Sequence, residues 1–187
     1  MSEPRKAAVV LAIFTAPPHG VVFLERAAHL RHHAGQIGLP GGAMDPEDDN
    51  DPQRTALREM QEEVGIVPAR VELVWRLPEI HPRVSNFLVT SFIAVVQPGP
   101  LAIDPSESAG VFSVPLDTLL DEVRDGIMDV GIVQVETTLL DYDGRRIWGL
   151  TGRVLRMFVD EWNTAESEMR ALVEQRLHVS EHFRDGD

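Results

Sequence analysis

The chain contains no cysteine among its 187 residues. Disulfide bonds and cysteine-based zinc sites are therefore excluded, and a reducing cytoplasm is the simplest compartment. Long apolar runs are absent as well. The apolar run at residues 7–14 is too short to span a membrane, so we interpret it as a buried strand.

Lysine is almost missing, since Lys6 is the only one. Arginine supplies nearly all of the 17 basic residues. The chain has 30 acidic residues, so its formal net charge is -13. Such a chain repels nucleic acid and anionic membranes over most of its surface, so neither is expected as a partner. An anionic small molecule would need a metal ion or a local arginine cluster to bind here.

The pattern of apolar residues predicts a mixture of strands and helices, which favours an α/β or α+β sandwich in one domain of residues 1–187. Turn residues separate the segments, as in the hairpin signal Tyr142-Asp143-Gly144. Strands are predicted at residues 6–14, 21–25, 71–77, 86–96, 110–114, 133–141 and 145–150, and further helices at 115–123, 151–162 and 165–177. Residues 29–42 are predicted to form a loop.

A helix is predicted directly after the acidic loop of residues 45–51. Asp51 is a good N-cap, Pro52 suits the first helical turn, and Gly65 can end the helix in a left-handed conformation. The apolar side chains of this helix form one stripe that should face the core, namely Ala56, Leu57, Met60 and Val64.

Three acids on this helix carry the strongest functional signal. Glu59, Glu62 and Glu63 stand at i, i+3 and i+4, so their carboxylates share one helical face. They lie towards the negative end of the helix dipole, where a divalent cation would relieve their repulsion. Carboxylate oxygens suit Mg²⁺ or Mn²⁺. On spacing alone, the alternative to a metal site is an acidic helix face that is simply exposed to solvent.

The residues around these acids resemble the Nudix box, G-x5-E-x7-R-E-U-x-E-E-x-G-U, in which U is aliphatic. Gly42 and the segment Arg58-Glu59-Met60-Gln61-Glu62-Glu63-Val64-Gly65-Ile66 match it. Asp48 stands where the family has Glu, and the gap from Asp48 to Arg58 is longer than the family pattern. The added residues fall before the helix begins, and the resemblance alone assigns no role to Asp48.

The upstream segment is similar to the motif of coenzyme A pyrophosphatases, approximately L-x-x-R-[SA]-x3-R-x3-G-x3-[FL]-P-G-G. It begins at Leu24, passes through Arg26, Arg31 and Gly35, and ends at Gly42. The segment Ile147-Trp148-Gly149-Leu150-Thr151 resembles the same subfamily. Together the resemblance covers residues 24–151.

This resemblance implies a fold and a mechanism. The fold is the α/β/α Nudix sandwich with a mixed β-sheet. Glu59 and Glu63 would be the main ligands of Mg²⁺ or Mn²⁺, with Glu62 assisting and the carbonyl of Gly42 completing the set. Arg58 would orient Glu59. The metal would activate a water that attacks the diphosphate.

The resemblance also implies a substrate. For coenzyme A the products would be 3′,5′-ADP and 4′-phosphopantetheine. Arg26, Arg31 and Gln36 would grip the nucleotide, because a guanidinium binds a phosphate with two hydrogen bonds. For each arginine a surface salt bridge is the alternative.

Other interpretations remain open at this point. Glu107 is a candidate for the distant acid that Nudix enzymes use beside the metal or as a general base, and a surface acid is its alternative. The substrate could instead be ADP-ribose or a dinucleotide, and a catalytically silent nucleotide-binding domain is a third hypothesis. Family analogy also suggests a homodimer.

Overall fold

The computed structural model describes residues 3–29, 35–82, 86–106 and 108–182, with side chains up to residue 178. The chain begins with the antiparallel strands β1 (Arg5–Phe14) and β2 (Gly20–Arg26). The remaining elements follow in chain order: β3 (Ile37–Gly38), β4 (Gly41–Ala43), α1 (Pro52–Val64), β5 (Val71–Arg76), β6 (Phe87–Val96), β7 (Ser108–Pro115), α2 (Leu116–Glu122), β8 (Arg124–Val130), β9 (Val133–Tyr142), β10 (Arg145–Ile147), α3 (Gly149–Trp162) and α4 (Glu168–His182).

The main sheet is mixed. Its order is β3-β2-β1-β6-β5, while β4 pairs with β1 and β7 pairs with β2. Strand β6 runs parallel to β1 over its whole length, from Arg5 opposite Phe87 to Phe14 opposite Val96. The predicted central position of this long apolar strand is confirmed, because β6 has β1 on one side and β5 on the other.

Helices cover both faces of the sheet. The face beneath α1 carries small residues such as Ala8, Ala12 and Ala94, which let α1 lie close to the strands. The opposite face packs against α2, α3 and α4 through larger side chains, among them Phe23 and Phe158. The predicted α/β sandwich with a mixed sheet is therefore confirmed.

A second, antiparallel sheet has the order β10-β9-β8. Its β9–β10 turn is the predicted hairpin, and Asp143 and Gly144 both have positive φ there. Strand β8 was not predicted. It pairs with β9 along its length through the two-residue turn Gly131-Ile132, in which Gly131 has a φ of 63°.

Other parts of the structure also differ from the sequence prediction, and strand β10 ends at Ile147 where a strand to residue 150 was predicted. The segment of residues 29–42 contains β3 and β4, which form only because β2 and β1 offer them pairing partners. Helix α4 begins at Glu168, three residues later than predicted, because the Ser167 hydroxyl accepts a hydrogen bond from the Arg170 N–H and caps the helix. Among the described residues, no helix is long and apolar enough to cross a membrane.

Candidate functional site

Helix α1 begins and ends where the sequence predicts. The Asp51 carboxylate accepts a hydrogen bond of 2.9 Å from the Gln53 N–H, and Gly65 ends the helix with a φ of 70°. Three residues of the predicted apolar stripe are buried, whereas Leu57 is only partly buried. This anchoring fixes which way the acids in the second half of the helix point.

Two glycines of strand β4 allow close packing on both sides of the strand, Gly42 against Glu59 of α1 and Gly41 against β1. A Cβ atom at Gly42 would lie 2.3 Å from Oε1 of Glu59. At Gly41 it would lie 2.3 Å from the Ala8 carbonyl oxygen, and the φ of 151° there also favours glycine. The Gly41 N–H donates a hydrogen bond of 2.8 Å to Oε2 of Glu63. Glu59 and Glu63 therefore both reach the Gly41-Gly42 backbone.

Arg58 connects the acids of the helix to the loop before it. Its Nη1 donates to Glu59 Oε1 at 2.9 Å and to Glu62 Oε2 at 2.8 Å. Its Nε and Nη2 donate to the two carboxylate oxygens of Asp48 at 3.1 and 3.0 Å, and Nη2 also reaches the Ala43 carbonyl at 3.1 Å. This contact with Glu59 supports the predicted orienting role of Arg58.

Asp48 is the residue whose role the sequence left open. Its side chain is 3% exposed and accepts further hydrogen bonds of 2.9 Å from the Thr55 hydroxyl and the Asp45 N–H. The Arg58 guanidinium is the main reason that the pKa of Asp48 is lowered to about 2, and burial opposes this shift. In return, Asp48 raises the pKa of Arg58.

The sequence did point to Asp48, because Asp48 stands at the position after Gly42 where the family pattern has an acid. The unusual number of residues between Asp48 and Arg58 hid the fact that the two side chains meet. In the structure Asp48 and Arg58 form a bidentate ion pair across the longer loop. Aspartate, which is shorter than the glutamate of the family pattern, therefore still holds the arginine. Thr55, a buried polar residue in the first turns of α1, was not singled out from the sequence.

The donor set around Gly42 suits a hard divalent cation. The Glu59 carboxylate fills the space that a Cβ at Gly42 would need, and the Glu63 carboxylate is held by the neighbouring Gly41 N–H. Carboxylate oxygens are the donors that such a cation prefers. Glu62 is more exposed and pairs with Arg58. In the part of the chain that the structure describes, no three His, Asp or Glu side chains form a ready metal-binding group. The three-glutamate site therefore stays a prediction.

Two of the predicted substrate-binding residues, Arg26 and Gln36, lie side by side at the loop end of the β2–β3 hairpin. The Arg26 N–H donates to the Gln36 carbonyl at 2.9 Å. Within the described residues, the enclosed Nε of Arg26 has no hydrogen-bond partner, a state shared by the Nε atoms of Arg145 and Arg156. Because this Nε is enclosed, it does not itself mark a ligand site, and the role of Arg26 in substrate binding stays a prediction. The third candidate, Arg31, lies outside the described residues.

The segment before β7 connects the end of α1 to the Arg26 region. The Ala102 N–H donates to the Val64 carbonyl at 3.0 Å, and the Ser106 carbonyl lies 2.9 Å from His29 Nε2. Ser108 is paired with Arg26. Glu107 lies outside the described residues, so its role stays a prediction.

Comparison with known proteins identifies the family. The Nudix domain profile matches residues 4–129. Over 156 residues the chain is 37% identical to the uncharacterized Nudix hydrolase NudL of Salmonella paratyphi B, which corresponds to 81% of this chain and 80% of that protein.

Solved structures agree on the fold. A putative Nudix hydrolase family member from Chromobacterium violaceum aligns with a TM-score of 0.62 and 16% identity over 99% of both chains. The Nudix hydrolase RenU of M. smegmatis aligns with a TM-score of 0.52 and 24% identity, over 65% of this chain and 76% of that chain. With the family profile spanning most of the residues and the helix acids set against Gly42, the chain belongs to the Nudix family of hydrolases.

Proposed function

We propose that this Nudix hydrolase cleaves the diphosphate bond of coenzyme A or one of its derivatives, giving 3′,5′-ADP and 4′-phosphopantetheine. The observation that supports the hydrolase chemistry is the approach of two motif carboxylates to one glycine pair: Glu59 lies against Gly42, and Glu63 accepts a hydrogen bond from the Gly41 N–H. The motif from Leu24 to Gly42 supports the choice of coenzyme A, with Arg26 and Gln36 adjacent at its centre.

Nudix hydrolases generally use divalent metal ions, and the donor set here fits Mg²⁺ or Mn²⁺. Glu59, Glu63 and the Gly42 carbonyl would hold the ion, and Glu62 would assist. When bound, the ion supplies Lewis-acid polarisation of the diphosphate and activation of the attacking water.

The protein's own groups then position this chemistry. Arg58 holds the Glu59 carboxylate in place from one side, while Asp48 fixes Arg58 from the other. The Arg26 guanidinium would bind a phosphate of the substrate, and Arg31 and Gln36 would take part in the same contact. Water adds to one phosphorus atom of the diphosphate, the P–O bond from that atom to the bridging oxygen breaks, and each product keeps one of the two phosphates of the bridge. Glu107 is the proposed acceptor of the proton from water.

The remaining features of the proposal concern the whole chain. We infer one catalytic domain over residues 1–187 that acts in the cytoplasm on a small-molecule nucleotide. The lack of cysteine agrees with a reducing compartment, and the net charge of -13 disfavours nucleic acid and anionic membranes as partners.

A substrate panel with a matched pair of variants tests the proposal. In Mg²⁺ or Mn²⁺, coenzyme A should be cleaved with a higher kcat/KM than its 3′-dephospho form, because a guanidinium would bind the 3′-phosphate. Glu63→Gln should lose most activity, roughly 10²-fold or more if it removes a metal ligand. Glu122→Gln, an exposed acid at the end of α2, is the control and should retain it.

Product analysis distinguishes the alternatives. If ADP-ribose or a dinucleotide is cleaved faster than coenzyme A, that compound is the substrate, and the assignment as a hydrolase still holds. Binding of nucleotides without turnover of any member of the panel would favour the silent domain. Normal turnover by Glu63→Gln would show that Glu63 is not a ligand of the metal ion.

A further inference from the structure

The only lysine of the chain lies on the same face of the sheet as helix α1. Lys6 stands two residues before Ala8, which is paired with Gly42 across β1 and β4 and packs beneath α1. Residues two apart on a strand point to the same side, so Lys6 also points to the α1 side.

Lys6 is also close to the motif acids along the chain. The Met44 N–H donates a hydrogen bond of 2.9 Å to the Lys6 carbonyl. A strand rises about 3.3 Å per residue, so Met44 lies about 7 Å beyond Gly42. One small molecule is therefore long enough to contact both Lys6 and the carboxylate of Glu59 beside Gly42.

Lys6 forms part of the wall of two cavities, of about 480 and 140 Å³. Met44 and Asn50 line both cavities as well, and the two together are called the Lys6 groove below. The larger cavity reaches Asp45, whose carboxylate lies 3.6 Å from the Arg58 guanidinium. Its volume is in the range of small-molecule sites, roughly 300–1,000 Å³. The groove therefore offers space for part of a substrate beside the Arg58 network.

The acids that line the Lys6 groove already have cationic partners. Each of the three is paired with an arginine, namely Asp45 with Arg58, Asp49 with Arg54 and Glu79 with Arg76. Their negative charge is therefore largely balanced before any ligand enters the groove.

Two cations of the groove lack an acidic partner within the part of the chain that the structure describes. Lys6 Nζ donates a hydrogen bond of 2.8 Å to the side-chain oxygen of Asn50, which is uncharged. The Arg5 guanidinium lies over the Phe87 ring, 4.9 Å from its centroid. In a chain with 30 acids and 17 basic residues, two adjacent cations without a carboxylate form a local positive patch that attracts anions.

We propose that the Lys6 groove is a phosphate subsite in which Lys6 and Arg5 bind a phosphate monoester of the nucleotide substrate. This inference rests on the proposed function, because the 3′-phosphate of coenzyme A is such a monoester. A phosphate monoester carries about 1.5–2 negative charges at neutral pH, which matches two cations better than a carboxylate does. Lysine binds it as a point charge, and arginine adds the donors of its guanidinium.

The Lys6 groove and the Arg26 region lie on opposite sides of strand β4. Strand β4 pairs with β1, which carries Lys6, whereas β3 pairs with β2, which carries Arg26. The motif acids contact β4 itself at Gly41 and Gly42. One substrate can therefore extend from its diphosphate at the acids towards a further phosphate at Lys6.

Calorimetric titration of the full chain in Mg²⁺ tests the subsite with two nucleotides that differ by one phosphate, 3′,5′-ADP and 5′-AMP. Wild type should bind 3′,5′-ADP at least about 10-fold more tightly than 5′-AMP, and Lys6→Gln should reduce this preference to about 2-fold or less. Arg153→Gln is the control, because it removes one positive charge from an exposed position of α3 and should keep the preference.

Asn50→Asp tests the same cation without removing it. A carboxylate at this position would pair with Lys6 and compete with the ligand, and Asp tolerates the φ of 61° found there. The preference for 3′,5′-ADP should fall about as far as in Lys6→Gln, with a melting temperature near that of wild type. Asn50→Gly suits the same φ and adds no charge, so it should keep the preference.

Acetylation of Lys6 measures occupancy of the groove directly, because the chain has no other lysine. Peptide mass spectrometry after brief treatment with acetic anhydride gives the rate at Lys6. Saturating 3′,5′-ADP should slow this reaction several-fold, and saturating 5′-AMP should slow it less.

Four results would overturn the phosphate subsite. They are undetectable binding of 3′,5′-ADP by wild type, equal affinity of wild type for the two nucleotides, an unchanged preference in Lys6→Gln, and acetylation of Lys6 that saturating 3′,5′-ADP does not slow. Failure of the proposed function looks different. If the preference depends on Lys6 but coenzyme A is not hydrolysed, the subsite stands and the proposed substrate is wrong.

Discussion

At the scale of single residues, Arg58 links the loop to the helix through hydrogen bonds on both sides of its guanidinium. Asp48 occupies Nε and Nη2, which leaves Nη1 for Glu59 and Glu62. A guanidinium held this way cannot rotate without losing several charge-assisted bonds. The position of the Glu59 carboxylate therefore depends, through Arg58, on Asp48 in the loop before the helix.

Asp48→Asn should lower the free energy of unfolding at neutral pH by about 2 kcal/mol, because a half-buried guanidinium loses its ionised partner. The pKa of Asp48 in the folded state is about 2, below its usual 3.8. Its stabilising effect is therefore fully present above about pH 4 and is lost as the pH falls through the folded value.

Urea unfolding of wild type and Asp48→Asn between neutral pH and about pH 2.5 measures this effect. The difference in unfolding free energy should shrink as the pH falls below about 4. Asp117→Asn, which changes an exposed acid of α2, is the control and should show no such trend. A difference that is constant over the whole range would show that ionisation of Asp48 does not stabilise the fold.

At the scale of elements, local signals allowed α1 to be predicted almost to the residue. Asp51, Pro52 and Gly65 act through backbone groups of the helix itself, so their effect is readable from the sequence. Strands β3 and β4 were missed because two- and three-residue strands exist only through pairing with β2 and β1. Strand β8 was missed because its two faces alternate acids, glycine and apolar residues without a run of β-branched residues.

The residues of the candidate site also fall into two groups, those that local sequence signals predict and those that depend on contacts between distant segments. The acids of α1 and Gly42 could be predicted because the family motif has fixed spacing on a helix. The role of Asp48 could not, since it depends on how a loop folds back onto Arg58. The meeting of Ser106 with His29 depends equally on contacts between segments 77 residues apart.

Gly65→Ala tests how the end of α1 holds the segment before β7. An alanine there meets a left-handed backbone and would place its Cβ 2.9 Å from Ala102. Gly144→Ala is the control, because it has a similar φ of 73° but no atom within 4 Å of the Cβ. Gly144→Ala should cost about 1 kcal/mol for backbone strain, and Gly65→Ala should cost a further 1–3 kcal/mol, roughly, for overpacking.

Thermal or urea unfolding of the two glycine variants measures this difference. Since the displaced segment leads to Ser106, Gly65→Ala should also reduce hydrolase activity more than Gly144→Ala does. Equal destabilisation by the two substitutions would show that the Ala102 contact gives way without cost.

At the scale of the whole molecule, the excess of acids makes stability depend on ions. A divalent ion that binds only the folded state stabilises it by RT ln(1 + [L]/Kd), about 2.7 kcal/mol at a hundredfold excess over Kd. Mg²⁺ or Mn²⁺ should therefore raise the melting temperature at about pH 8, and the gain should shrink towards about pH 5 because protons compete for the same oxygens.

Gly42→Ala identifies where the stabilising ion binds. Its Cβ would occupy the space beside Glu59, whereas at Gly38 a Cβ meets nothing within 4 Å. Melting curves with EDTA or excess metal should show the metal-induced gain for wild type and Gly38→Ala but little gain for Gly42→Ala. An equal gain in all three proteins would place the ion elsewhere, as in the acidic loop of residues 45–51.

The longer loop between Asp48 and the helix has a consequence for the detection of such proteins by pattern. Asp49 and Asn50 both have positive φ, at 51° and 61°, and the chain turns outward there before Asp51 begins the helix. Asp and Asn tolerate this conformation well. The gap from Asp48 to Arg58 is two residues longer than the family pattern, and Asp48 still reaches Arg58. A pattern that requires a fixed number of residues between the positions of Asp48 and Arg58 would reject this chain. A pattern that allows this gap to vary would detect the chain and both partners of the ion pair.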